Sequence, residues 1–72
     1  MKKFYLVPAD NRKSFYNKCY VMEDGQTATL YSYETRIMEY NFITGEITKT
    51  SYFNYSATTK RHQKAFCQYY GI

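Results

Sequence analysis

The chain has 72 residues, ten Lys and Arg against six Asp and Glu for a formal charge of +4, and ten tyrosines with five phenylalanines but no tryptophan. That length allows one domain, residues 1–72, with a small core, and it excludes both a second domain and the burial of fifteen aromatic rings, so some rings must face water or a partner. No apolar run is long enough to span a bilayer and the start, Met1 to Pro8, stops short of a signal-peptide core, which predicts a soluble, unprocessed protein with no membrane partner.

Taken in order, Phe4 to Val7 is β-prone and ends at Pro8, which suits a short edge strand, and Asp10 to Lys13 reads as a polar turn. Ser14–Met22 and Gln26–Tyr33 flank Asp24-Gly25, a strong signal for a two-residue hairpin loop because both positions tolerate positive φ. That loop pairs Val21 with Ala28 and Cys19 with Leu30, and it places Tyr16, Lys18 and Tyr20 opposite Tyr33, Tyr31 and Thr29 on the other face. Arg36–Ile43 and Glu46–Phe53 flank Thr44-Gly45. A two-residue loop there sets Tyr40 against Lys49 and Met38 against Ser51, with Ile37 on the reverse side, and a longer loop fits equally well.

The last stretch carries the helix signal. Ser56, Thr58 and Thr59 offer hydroxyls to the unpaired N–H groups of a first turn, and Gly71 suits the left-handed position past the last turn. His62, Ala65, Phe66, Tyr69 and Tyr70 recur at three- and four-residue spacing and form one stripe. The expected fold is α+β, an antiparallel meander of four or five strands with one C-terminal helix packed on one face.

No catalytic constellation emerges. His62, the lone histidine, falls on the apolar helix stripe and reads as structural. Cys19 and Cys67 are not spaced as a disulfide framework or a zinc site, which points to a reducing, cytoplasmic setting with no metal or cofactor. The glycines are isolated turn or cap residues, so there is no phosphate-cradling loop. Charge is segregated: residues 1–18 sum to +4, 19–46 to −4 and 47–72 to +4. This pattern is either a mixed solvated surface or a basic patch formed by the two ends.

The tyrosine-rich face is the candidate surface: Tyr16, Tyr20, Tyr31 and Tyr33 supply contact area, and Lys18 and Arg36 fix orientation. Such rings serve as rigid anchors in a protein interface. They also serve as a platform that stacks single-stranded bases while Lys2, Lys3, Arg12 and Lys13 meet phosphate. Glu23, Asp24, Glu34 and Glu39 lie on or near the same strands and repel a phosphate backbone, which favours a protein partner.

Lys13-Ser14-Phe15-Tyr16, Leu30-Tyr31-Ser32-Tyr33-Glu34-Thr35 and Tyr55-Ser56-Ala57-Thr58-Thr59, with Arg61-His62 following, resemble a group of small proteins from bacteriophages and mobile elements of Gram-positive bacteria, a domain of unknown function. The resemblance covers residues 13 to 71 and is most specific at the Tyr-Ser-Ala-Thr-Thr-x-x-His run. Similar chains carry glycine where this one has Asn17 and alanine where it has Cys19. The resemblance implies a phage or prophage origin in a bacterial host cell. By analogy with short phage proteins that occupy host surfaces, the expected function is non-enzymatic binding of a host protein or protein–nucleic-acid complex, as a monomer or homodimer, including inhibition of a bacterial immune system of the anti-CRISPR kind. The alternative is a small basic module for single-stranded nucleic acid.

Overall fold

The structure, a computed structural model, describes residues 1–7 and 17–72. Among these, the strands β1 (Lys2–Tyr5), β2 (Cys19–Glu23), β3 (Thr27–Ser32), β4 (Thr35–Asn41) and β5 (Ile47–Lys49) precede a single helix, α1 (Ala57–Tyr70). The strands pair in sequence order into one antiparallel sheet, β1-β2-β3-β4-β5. This is the expected α+β meander in its five-stranded form, with the helix across one face.

The first hairpin keeps a two-residue loop, but the loop is Gly25-Gln26 rather than Asp24-Gly25. Tyr20 therefore pairs with Tyr31, Val21 with Leu30 and Cys19 with Ser32. Asp24 decides this. Its Oδ1 accepts from the backbone N–H groups of Gln26 and Thr27 and from the Thr27 hydroxyl, at 3.0, 2.8 and 3.1 Å. Gly25 then takes the first central position at φ 90°, where glycine is favoured. Because the slip is two residues, the side chains of β2 and β3 stay on their expected faces. The second hairpin takes the longer of the two loops that its sequence allows, and so pairs Tyr40 with Ile47 and Met38 with Lys49. Its loop is four residues, 42–45, because the Asn41 side chain accepts from the N–H groups of Ile43 and Thr44. Beyond Lys49 the expected strand stops, since Thr50 bonds back to the Ile37 carbonyl through both N and hydroxyl and residues 51–54 turn away.

One further expectation fails for a local reason. Ile37 does not lie on the face opposite Met38: Tyr31 pairs with Arg36 and Leu30 with Met38, so Ile37 is an extra, unpaired residue in a β-bulge. A bulge points two neighbours to the same side, and both Ile37 and Met38 are buried in the core. The core is completed by Leu6, Cys19, Val21, Ala28 and Leu30 from the strand region and by Ala65 and Phe66 from α1. The predicted polar turn at residues 10–13 and the pairing of Phe15 and Tyr16 lie outside the described residues.

Helix α1 begins and ends where the hydroxyl and glycine signals place it. Ser56 is the N-cap, its hydroxyl accepting from the Thr59 N–H at 3.1 Å, and Gly71 closes the helix at φ 70°. Ser56 alone of the three hydroxyl residues accepts the cap bond; the Thr59 hydroxyl turns inward against Ser56 Oγ at 3.0 Å. Buried on the sheet side are Thr59, His62, Gln63, Ala65 and Phe66. Tyr69, expected among the anchors, is 57 % exposed, because it reaches sideways to the edge-strand ring of Phe4 at 5.1 Å and leaves the contact with the sheet to Phe66. Asn17, where the resemblance has glycine, sits at φ 61°, a conformation that asparagine adopts more readily than most residues.

Candidate functional site

The sheet face turned away from the helix is built from β1 to β4 by strand alternation. Lys3 and Tyr5 pair with Met22 and Tyr20, and Tyr20 pairs in turn with Tyr31. Direct opposition brings the Tyr20 and Tyr31 rings parallel, 5.0 Å apart at 7°. Tyr5 meets Tyr20 edge-on at 5.9 Å, and the Lys3 ammonium stands 4.4 Å from the Tyr20 ring centre. Arg36, opposite Tyr31, is exposed. On the same face the Thr29 hydroxyl donates to Glu39 at 3.3 Å.

Of the residues singled out from sequence, Tyr20, Tyr31 and Arg36 therefore share this face. Lys18 lies just before β2, fully on the surface. Tyr16 lies outside the described residues. Tyr33 moves off the strand to the end of the sheet: it and Glu34 are the two central residues of the β3–β4 turn, both at positive φ, 52° and 65°. A two-residue hairpin turn of this kind needs positive φ at both places, so Tyr33 is carried over the sheet end and its ring lies on His62, 6.0 Å away at 28°. Lys3, named from sequence only as a phosphate contact, stands on this face, and Tyr5 is the member that sequence reasoning missed; the alternating Lys3-Phe4-Tyr5 pattern was the available signal. The acidic residues that count against an anionic partner are partly occupied elsewhere. Glu23 accepts from the Tyr70 hydroxyl at 2.6 Å on the helix side, and Asp24 is held in its turn, whose hydrogen bonds lower its pKa from the usual carboxylate value.

A second feature lies at the other side of Tyr33. A cleft of about 330 Å³ opens between the β3–β4 turn, the 52–55 segment and the start of α1. Its floor includes Ser32, Ile37 and Thr59, all buried, and its rim is Tyr33, Tyr52 and Tyr55, which are 59, 48 and 73 % exposed. The segment is held by an amide clamp: Gln63 accepts from the Asn54 N–H at 2.7 Å and donates to the Asn54 side-chain oxygen at 2.8 Å, with Asn54 at φ 61°. Tyr52 and Tyr55 were read as strand and pre-helix residues. The aromatic density of Tyr52-Phe53-Asn54-Tyr55, unusual for a connection, was the signal that marked them.

Ser32 Oγ lies 2.7 Å from His62 Nδ1, both side chains being buried. A hydroxyl both donates and accepts, so either imidazole tautomer satisfies the pair. Burial, helped by neighbouring Arg61, pushes the His62 pKa down to about 4. A base this weak is poorly matched to proton abstraction near neutrality. Cys19 is fully buried and its thiol is pushed up to about 12 by burial, so it packs as a small hydrophobe. Among the described residues no three His, Cys, Asp or Glu side chains gather as metal ligands, and no helix is long and apolar enough to cross a membrane.

The chain belongs to a family of unknown function, DUF8033, which matches residues 5–71. That span runs from Tyr5, the last residue of β1, to the end of α1, and so takes in the cleft and the tyrosines of the open face but not Lys3. No curated protein and no solved structure matches it.

Proposed function

We propose that this protein is a non-enzymatic, phage-type accessory protein that binds a host macromolecule in the bacterial cytoplasm through its open sheet face, and that it inhibits a host immune system in the manner of an anti-CRISPR protein. The phage setting and the anti-defence role extend the resemblance at Tyr55–His62 by analogy. The binding role rests on one observation: Tyr5, Tyr20 and Tyr31 form a continuous aromatic surface with Lys3 against it, on the side of the sheet that the helix leaves open. Rings fixed by strand pairing lose little freedom on contact and make efficient anchors. The double variant Tyr20→Ala/Tyr31→Ala tests it. The wild-type chain captures a specific host protein from lysate and raises phage plating on a defended host, and the double variant does neither while remaining folded by circular dichroism. Unchanged capture by the folded double variant rules out this face.

The parallel Tyr20–Tyr31 pair beside Lys3 also supports a second reading, binding of single-stranded nucleic acid. Three phosphate contacts, by Lys3, Lys18 and Arg36, give a slope of log affinity against log salt of roughly −2. Capture that survives nuclease digestion and is insensitive to salt excludes it.

A further inference from the structure

The cleft rimmed by Tyr33, Tyr52 and Tyr55 plays no part in the open-face reading, yet the fold places costly features around it. Four described non-glycine residues have positive φ, and three of them, Tyr33, Glu34 and Asn54, lie in the two connections that bound this cleft. The left-handed conformation is disfavoured for side chains with a Cβ, most of all bulky ones, and such residues persist where the surrounding structure holds them, often at ligand clamps. Here the holding is visible: His62 lies under the Tyr33 ring and the buried Gln63 amide grips Asn54 from both sides.

We propose that this cleft binds a single nucleobase, presented either by a free nucleoside or as an unstacked base of a single strand. The rim offers three exposed tyrosine rings, Tyr33, Tyr52 and Tyr55, and stacking on an aromatic ring is open to every base. The floor offers hydroxyls. Ser32 keeps hydrogen-bonding capacity beyond its bond to His62, since a hydroxyl has one hydrogen and two lone pairs. Thr59 and Ser56 stand beside it and already share one bond with each other. Hydroxyls donate or accept as needed, which suits the mixed edge of a base. Among the described residues no ionised side chain lines the cleft, which suits an uncharged planar occupant. The volume, about 330 Å³, sits at the small end of ligand sites, which run from roughly 300 to 1,000 Å³.

Tyr33 is also the ridge between this cleft and another, of about 300 Å³, which includes Lys3, Lys18, Tyr5 and Tyr20 together with Glu34. A strand with one base in the neutral cleft crosses Tyr33 and meets two ammonium groups on the far side, where its next base reaches the Tyr5 and Tyr20 rings. Free nucleosides use only the first cleft.

The proposal is independent of the open-face reading, and the two fail separately. Adenosine, guanosine, cytidine and uridine, and short single-stranded oligonucleotides, are titrated into the full chain by NMR and calorimetry. At least one nucleoside shifts the Ser32, Tyr33 and Thr59 resonances; Tyr55→Ala, an exposed and structurally mild change, weakens it roughly 5- to 150-fold, the range of base–aromatic stacking; Tyr20→Ala leaves it unaltered. An oligonucleotide that binds more tightly than its nucleoside and loses affinity with salt identifies a strand-borne base, and equal, salt-insensitive affinities identify a free nucleoside. The proposal is overturned if no nucleoside or oligonucleotide shifts these resonances at millimolar concentration. Oligonucleotide binding that Tyr20→Ala abolishes and Tyr55→Ala leaves intact also overturns it, while sparing the open face.

Discussion

The two ends of α1 use tyrosine in opposite ways. At the C-terminal end Tyr70 sits among Phe66, Phe42, Tyr40 and Tyr69 at ring separations of 4.9–5.7 Å, and its hydroxyl is tied to Glu23. At the N-terminal end Tyr33, Tyr52 and Tyr55 stand largely exposed around a cleft floored by hydroxyls. The difference lies in what the strands supply beneath. Under the C-terminal end β1, β4 and the 42–45 loop contribute further rings, so aromatic area is packed against aromatic area. Under the N-terminal end the sheet contributes Ser32 and Ile37, and the helix contributes Thr59, so the rings have a polar floor and remain at the edge. Among the described tyrosines, Tyr40 and Tyr70 pack against the core, Tyr33, Tyr52 and Tyr55 surround an opening, and Tyr5, Tyr20 and Tyr31 pave the open sheet face, a division that composition alone does not reveal.

Substitutions at matched positions sharpen that contrast. Phe66→Ala, at a fully buried ring, is expected to cost about 3–5 kcal/mol in urea denaturation, enough to unfold much of so small a protein. Tyr55→Ala should stay within about 0.5 kcal/mol of wild type; a large loss there would show that the N-terminal rings are part of the core after all. The next effect depends on pH. The unfolded chain protonates His62 near 6.5, whereas the folded ring resists protonation to about 4. The unfolded state therefore binds more protons in that window, and stability falls as pH drops through it, by at most about 1.4 kcal/mol per unit, before levelling off. Denaturation midpoints between pH 7 and 4 check this, and His62→Gln should remove the decline.

Smaller effects follow at the two ends. Tyr70→Phe keeps the ring cluster and deletes the bond to Glu23, for a loss of about 1–2 kcal/mol by denaturation. Glu34→Gly relieves one left-handed residue of the β3–β4 turn and is expected to gain about 1 kcal/mol, seen as a rise of some 4–8 °C in melting temperature. A gain there with weaker nucleobase binding would tie the strained turn to the cleft; a loss of stability would contradict the strain argument.

Most of the fold was legible because its signals are local. Gly71 fixed the end of the helix and the hydroxyls of Ser56, Thr58 and Thr59 bracketed its start, Asp24-Gly25 marked the first hairpin, and period-two alternation assigned the faces of β2 and β3 correctly. The register of the first hairpin was missed by two residues, and the loop of the second was left open between two residues and more, because Asp24 and Asn41 cap their own loops with side-chain oxygens, a choice that the turn residues alone do not reveal. Ile37 was missed because a bulge interrupts alternation without any residue that announces it. The candidate surface was half legible: Tyr20 and Tyr31 share it as expected, but Tyr33 was misplaced because the two-residue turn that removes it from the strand lacks the glycine or asparagine that usually signals one. The aromatic density of residues 52–55 marked Tyr52 and Tyr55 but not as a rim, because their placement depends on the Asn54–Gln63 clamp, a side-chain contact nine residues apart that no turn motif announces.

The extra residue in β4 has a consequence for how this sequence tolerates length changes. Deleting any regularly paired residue of a strand reverses the facing of everything beyond it, and in β4 that would bring Glu39 inward and turn Met38 out. Deleting Ile37 instead restores simple alternation from Thr35 through Arg36 to Met38 and Glu39, leaving all four on their present sides. Ile37 is therefore a position in the sheet where a codon can be lost without scrambling its two faces. That position is also part of the cleft floor, so a shortened chain would keep its architecture while reshaping the opening.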